Sequence, residues 1–373
     1  LMNLREFQAK AVFARHGITV PAGKIASTPP QVGKIAHDLR SPVVLKPQLG
    51  AKQRGKLGVI AFCDDAATAE REAARLFDMT VGGEPVATLL VEQKADIAEE
   101  FYVAVTVDQG RRCPTVMISR YGGVDIEELA SAEPDKVLQL RVDIRRGLTE
   151  DDIRTIADFV DDGVADVASM SYDVFRAYDA EIVEINPLVR TRGGGLVAVD
   201  AVLNIDDAAL FRQPEMASLR TQISGGDPVA EEARANRWTY IDLPGDIALL
   251  SSGAGLTMTI LDLIRLAGGS AANFLDTAQI DEDGIYQAFA LLTRAKDARA
   301  MMINIFAGLN RCDRLAEGIV RYLRDHPYDK PIVVRMVGNK EEEGHRVLRQ
   351  FGVEPYRDLE EAVKQVVALA QSG

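Results

Sequence analysis

The sequence predicts an α/β protein of more than one domain, and three observations carry that prediction. Its 373 residues exceed what a single core usually holds, since about 150 residues per domain is the common scale and gives two or three here. After residue 237, short apolar runs alternate regularly with helical stretches, the sequence form of a parallel sheet covered by helices. Before it, residues 212–237 are polar, contain proline and glycine, include Glu231-Glu232 and have little strand character. The division is therefore set near Arg237, giving domains 1–237 and 238–373.

Taken in order, residues 4–16 place Phe7, Ala11, Val12 and Ala14 near helical spacing and stop at Gly17, so they read as a short amphipathic helix. Pro21, Gly23, Pro29 and Pro30 break the next stretch, and Ser41-Pro42 leads into the apolar strand Val43-Val44-Leu45-Lys46. Strands are expected at 89–92 and 101–105, joined by a polar connector. Residues 148–170 are helical in pattern. Strands at 180–185 and 196–199 flank Gly193-Gly194-Gly195 as a hairpin, which brings Asn186 and Asp200 within reach of each other. In the second half, strands are expected at 247–250, 271–275, 300–305 and 331–337. Two of them open into loops, 251–255 and 306–310, where ligands of open α/β sheets usually sit.

Composition narrows the function. A hydrophobic fraction of 47% with 27% charged residues excludes a disordered, collagenous or membrane-embedded chain. Forty-three basic against 56 acidic residues, a formal charge of −13, argues against a general nucleic-acid or anionic-membrane binder, so any phosphate must be held locally. Cys63, Cys113 and Cys312 show neither a CxxC pair nor zinc-ligand spacing. No uncharged stretch approaches the roughly 20 residues that span a bilayer, and a cytoplasmic location is expected.

Three constellations have chemistry in them. The first is the basic loop Lys46-Pro47-Gln48-Leu49-Gly50-Ala51-Lys52-Gln53-Arg54-Gly55-Lys56. Cationic side chains there neutralise phosphate while glycine lets backbone amides approach its oxygens; a solvated basic turn is the plainer alternative, and no Walker A loop is present. The second is Glu184-Ile185-Asn186-Pro187 with Val199-Asp200 across the hairpin. Magnesium takes one or two protein oxygens and completes its shell with phosphates and water, although a strand-ending asparagine and a turn-capping aspartate would look the same. The third is Glu92 with Glu100, suited to nucleotide hydroxyl or amino groups, or simply acids at strand ends.

The order of these stretches resembles the β subunit of succinate–CoA ligase over nearly the full length. The resemblance rests on Met2-Asn3-Leu4-Arg5-Glu6-Phe7-Gln8-Ala9-Lys10, Arg54-Gly55-Lys56, Val91-Glu92, Asp96-Ile97-Ala98-Glu99-Glu100, Glu184-Ile185-Asn186-Pro187-Leu188-Val189, Gly253-Ala254-Gly255-Leu256, Asn273-Phe274-Leu275-Asp276 and Asn304-Ile305-Phe306 with Arg311-Cys312-Asp313. It implies an ATP-grasp domain, with some α+β character, followed by a flavodoxin-like ligase domain. It further implies that Lys46, Gln53, Arg54 and Gly55 contact ATP phosphates, that Glu92, Ala95 and Glu100 line the nucleotide pocket, and that Asn186 and Asp200 hold Mg²⁺. Glu184 would face a phosphohistidine. Ser252, Gly308, Leu309 and Asn310 would form the carboxylate and phosphate site shared with an α subunit.

In this family a histidine carries the phosphoryl group. The four histidines here, His16, His37, His326 and His345, lie in or beside helical patterns, so the resemblance implies that the carrier and most of the CoA site belong to an α partner in an αβ or α2β2 heteromer. A lone ATP-grasp carboxylate–amine ligase and a non-catalytic paralogue that regulates the α subunit are the rival readings. The chain departs from the family pattern at Lys52-Gln53, at Ser252, at 277–281 and at Ala307-Gly308. Because the departures gather in the second domain, the small carboxylic acid is expected to differ from succinate, with a hydroxylated acid such as malate favoured and Asp281 repelling a dicarboxylate. Pro21 leans the nucleotide choice toward ATP.

Overall fold

The computed structural model describes residues 2–49, 58–81, 83–223, 228–294 and 298–372. The chain divides into two compact units, Leu1–Ile223 and Ser224–Gly373. The division falls ahead of the cut expected near Arg237, because the helix Pro228–Ala235 buries Ala233 in the same core as Trp238 and Tyr240.

In the first unit a four-stranded antiparallel sheet runs in the order Gly23–Ala26, Leu89–Gln93, Val43–Pro47, Ala61–Cys63. Strand side chains alternate between faces. Val43, Leu45, Leu89 and Val91 therefore pack with Val32, Ala36, Ala69 and Leu76 of the helices Pro29–Leu39 and Ala66–Phe77, while Lys46 and Glu92 point the other way.

A seven-stranded sheet has the order Met2–Asn3, Val202–Ile205, Ala180–Thr191, Ile97–Asp108, Cys113–Ser119, Val137–Arg141, with Leu196–Ala198 paired to Ala180–Thr191 as the expected hairpin. Val103, Val105, Val183 and Ile185 bury one face against the helix Asp162–Ala177. Tyr102 and Ala104 lie on the other, under the helix Ile126–Ala132. The helical stretch expected at 148–170 is two helices, Glu150–Phe159 and Asp162–Ala177. Asp161 separates them, its carboxylate accepting the Val164 N–H at 3.1 Å as an N-cap.

The first helix, Glu6–Arg15, forms where expected but turns differently. Its buried residues are Glu6, Gln8, Ala9, Lys10, Val12 and Phe13, whereas Ala11 and Ala14 are exposed. Two charged residues thus go in where small apolar ones were expected to.

The second unit is the expected helix-covered sheet, in the order Thr239–Asp242, Asn273–Asp276, Ile247–Ser251, Ala300–Ala307, Ile332–Gly338, Pro355–Tyr356. All pairs are parallel except the first, where Thr239–Asp242 runs antiparallel to Asn273–Asp276. Leu250, Ile303 and Val334 pack against the helices Glu282–Leu292 and Cys312–Asp325, and Leu249, Met302 and Val333 against Ala254–Leu266 and Leu359–Ser372. Among the described residues no helix is long and apolar enough to cross a membrane.

Candidate functional site

In the first unit the opening helix, the strands Val43–Pro47 and Leu89–Gln93, and the turn after Leu196–Ala198 meet in a ring of buried charge. Lys10 Nζ lies 2.8 Å from Glu6 and 2.5 Å from Glu92, and Lys46 Nζ lies 2.9 Å from Glu6 and 2.8 Å from Glu92. Both ammonium groups also donate to the Val199 carbonyl, Lys10 at 2.9 Å. An ammonium has three N–H donors, and each lysine lies against three acceptor groups. Two positive and two negative side chains leave the ring formally neutral, which is what burial of charge requires. Burial opposes the charge on Lys46, yet the carboxylates of Glu6, Glu92 and Asp200 hold its pKa above the ordinary lysine value.

The ring gives Glu92 two ion-pair partners that the sequence did not suggest. Glu92 is 2% exposed, and its carboxylate bonds both Lys10 and Lys46, which orients the two lysines. Next to the ring a cavity of about 540 Å³ is lined by Phe7, Val20, Pro21, Ile25 and Leu90, with Lys10, Lys24 and Glu92 as its polar members.

Asn186 and Asp200 lie on the two arms of the hairpin, which the Val199 N–H closes at 3.3 Å on the Pro187 carbonyl. The Gly123 N–H donates to Asn186 Oδ1 at 2.7 Å, and Asn186 Nδ2 donates to the Val124 carbonyl at 3.1 Å. The amide is thereby fixed with one Oδ1 lone pair still available. Asp200 Oδ1 accepts the Ala201 N–H at 2.8 Å. Two oriented hard oxygens fit a divalent cation whose remaining ligands are phosphate and water. Among the described residues no group of three or more His, Cys, Asp or Glu side chains is placed to hold a metal ion.

Glu184 is half-buried two residues before Asn186 and pairs in register with Ala104, on the face that carries Tyr102. Burial, then the charges of Glu184 and Glu127, push the Tyr102 phenol above its ordinary pKa, so a protonated phenol lies in the field of two carboxylates. Glu100 sits apart from Glu92. It flanks the same turn as Asn186, where its carbonyl accepts the Gly122 N–H at 3.0 Å. Ala95 is half-buried in the connector between strands. Gln53, Arg54 and Gly55 lie outside the described residues.

Sequence reasoning missed Glu6, Lys10, Tyr102 and the Gly122–Gly123 turn. The i,i+4 spacing of Glu6 and Lys10 and the doubled glycine were the available signals. Gly123 adopts φ +70°, and a Cβ on Gly122 would lie 2.5 Å from the Phe101 carbonyl oxygen. Gly122→Ala is therefore expected to cost about 1–3 kcal/mol and to weaken nucleotide-dependent activity by shifting Asn186, as read by urea unfolding and steady-state assay.

In the second unit Ser252, Gly308, Leu309 and Asn310 come together around a cavity of about 290 Å³, with Gly253, residues 277–280 and 304–307 completing its wall. The helices Ala254–Leu266 and Cys312–Asp325 begin beside it, and their N-terminal amides suit an anion. Asn310 Nδ2 donates to the Ile280 carbonyl at 2.6 Å. Asp281 does not line this cavity; its carboxylate accepts the Gly284 N–H at 2.8 Å and caps the helix Glu282–Leu292. The expectation that it repels a dicarboxylate is withdrawn on that ground. Burial, with Glu341 and Asp313 adding, pushes the Cys312 thiol up to about 11, which favours its protonated form at neutral pH.

Residues 3–190 match the ATP-grasp domain family and residues 250–369 the CoA-ligase family. The chain is 38% identical over 383 residues to the succinate–CoA ligase [ADP-forming] subunit beta 1 of Archaeoglobus fulgidus, covering 99% of this chain and 100% of that one. It is 37% identical over 374 residues to the succinate–CoA ligase [GDP-forming] subunit beta of Thermus thermophilus, with 99% of each chain covered. A probable malate–CoA ligase subunit beta of Mesorhizobium japonicum is 37% identical over 385 residues, covering 98% and 97%. Among solved structures, ATP citrate lyase from Methanothrix soehngenii superposes with a TM-score of 0.74 at 19% identity, covering 100% of this chain and 99% of that one, which shows a shared fold. Full-length identity of this degree, with both domains in order, places the chain in the succinate–CoA ligase β-subunit family, acid–thiol ligases that join an ATP-grasp domain to a CoA-ligase domain.

Proposed function

We propose that this chain is the nucleotide-binding β subunit of an ADP-forming acyl-CoA synthetase whose phosphoryl carrier is a histidine of an α partner. The observation that carries this is the convergence of Lys46, Asn186 and Asp200 on one turn: Lys46 bonds the Val199 carbonyl, Asp200 follows it, and the Val199 amide reaches back to Pro187. The nucleotide base occupies the apolar cavity beside Pro21, and the phosphates run toward Lys46. Mg²⁺ held by Asn186 and Asp200 would draw charge from the phosphate oxygens. Lys46 neutralises the transferred group, and Glu184 meets the partner's imidazole as it attacks the γ-phosphorus and ADP leaves.

In the second unit the phosphoryl group passes from the partner's histidine to a carboxylate oxygen. CoA sulfur then attacks the acyl carbon, and phosphate leaves toward the amides at the starts of the two helices. The settings of this chain's four histidines support a carrier on the partner. His16 and His326 end helices, His37 is exposed on a helix, and His345 is buried with Nε2 at 2.7 Å from the Met336 carbonyl oxygen.

Co-expression with an α-type subunit, followed by assay of CoA-dependent ADP release over several acids, tests the reading. Turnover is expected to need both chains, and the isolated chain to take no label from γ-labelled ATP. Acid-labile phosphate on His16, His37, His326 or His345 in the isolated chain overturns it. Ser252, Gln279 and Asn310 give the cavity polar side chains suited to a hydroxylated short acid such as malate. A kcat/KM for succinate above that of every substituted acid refutes this preference.

A further inference from the structure

Asp276 ends the strand Asn273–Asp276 behind the cavity of the second unit, and one of its oxygens holds two loops. Oδ1 accepts the Gly253 N–H at 2.7 Å and the Ala278 N–H at 2.9 Å. Both donors belong to residues of the cavity wall. Both also have positive φ, +95° at Gly253 and +50° at Ala278, and for Ala278 that conformation persists only where surroundings enforce it.

Further bonds extend from this point. Thr277 donates its N–H at 3.2 Å and its hydroxyl at 3.3 Å to the Ser251 carbonyl. Asn304 Nδ2 donates to Ser251 Oγ at 3.0 Å, and Arg335 donates to Asn304 Oδ1 at 3.2 Å. In register, Asp276, Ser251, Asn304 and Arg335 form one polar row across four strands. Ser251 and Asn304 are fully buried, and polar groups in an otherwise apolar sheet cost stability unless their bonds are met. A carboxylate behind a cavity that takes anions also opposes the ligand's charge. What it holds in place accounts for its presence better than any attraction does.

We propose that Asp276 is a positioning residue for the acyl half of the reaction, fixing Gly253 and Ala278 so that the loop before the helix Ala254–Leu266 and the loop 277–280 keep the cavity's shape. The inference rests on the reading of this cavity as the carboxylate and phosphate site. Misplacement of binding groups by about 1 Å costs on the order of a hundredfold. In the αβ complex, Asp276→Ala is therefore expected to lower kcat/KM for the acid by about 10–100-fold, mostly through KM. ATP-dependent phosphorylation of the partner's histidine is expected to stay unchanged, since it uses the first unit.

Asp276→Asn keeps an oxygen that accepts both N–H groups, and is expected to restore most of the loss. Wild-type acid kinetics in Asp276→Ala overturn the proposal, as does an Asn variant as impaired as the Ala variant. A third variant separates this from the underlying reading. Gly308 is one of the residues lining the cavity, and a Cβ there meets nothing within 4 Å, so Gly308→Trp adds bulk at the cavity wall without a clash. If it leaves acid turnover intact, the cavity is not the acyl site. If it blocks turnover while Asp276→Ala does not impair it, only the positioning role fails.

Discussion

Asp200→Ala and Asn186→Ala, each made in the αβ complex, are expected to reduce ATP-dependent phosphorylation of the partner by at least about a hundredfold while changing stability by no more than about 1 kcal/mol. Each removes one of the two oriented oxygens set out for a divalent cation. Asp200→Ala also removes one of the carboxylates that hold the Lys46 pKa up. Neither side chain belongs to the neutral ring, so the ring keeps its four partners and the fold survives. Isotope transfer from γ-labelled ATP to the partner, together with urea unfolding, measures both quantities. Transfer at the wild-type rate in both variants sinks the cation assignment.

The largest stability effect is expected at Glu92. Glu92→Leu leaves two buried ammonium groups in contact with one carboxylate, that of Glu6, with Asp200 acting on Lys46 only through its charge, and stranding a buried charge in this way costs about 3–5 kcal/mol. Removing Lys10 as well, in Lys10→Met/Glu92→Leu, restores a neutral Lys46–Glu6 pair. Most of the stability is expected to return, giving a coupling of more than about 2 kcal/mol in the double-mutant cycle. Nucleotide-dependent activity is not expected to return with it, because Lys46 then has one carboxylate fewer to fix its direction. Additive effects of the two substitutions on urea unfolding would mean that the ring is not a unit.

Much of the second unit was legible in the sequence because its signal is local. Strands buried on both faces, such as Ala300–Ala307 and Ile332–Gly338, read as continuous apolar runs whatever they pair with. The hairpin at Ala180–Thr191 and Leu196–Ala198 was legible from its glycine loop, and with it the approach of Asn186 to Asp200. The edge strand Thr239–Asp242 was not, since antiparallel pairing to Asn273–Asp276 is a property of the sheet rather than of four residues.

The charged side of the opening helix shows the limit most clearly. By composition Glu6 and Lys10 belong in solvent and Ala11 and Ala14 inside, and the structure reverses this. Their partners come from Lys46, Glu92 and the Val199 carbonyl, separated from Lys10 by up to 189 residues along the chain. Asp281 failed in the opposite sense, since a charge expected to face substrate instead caps its own helix. The periodicity of apolar residues thus determined which segments are strands and helices and in what order they come. Which charges are buried, what they bond and where they point were decided only by the tertiary structure, because a buried charge is tolerated when groups remote in sequence neutralise and hydrogen-bond it.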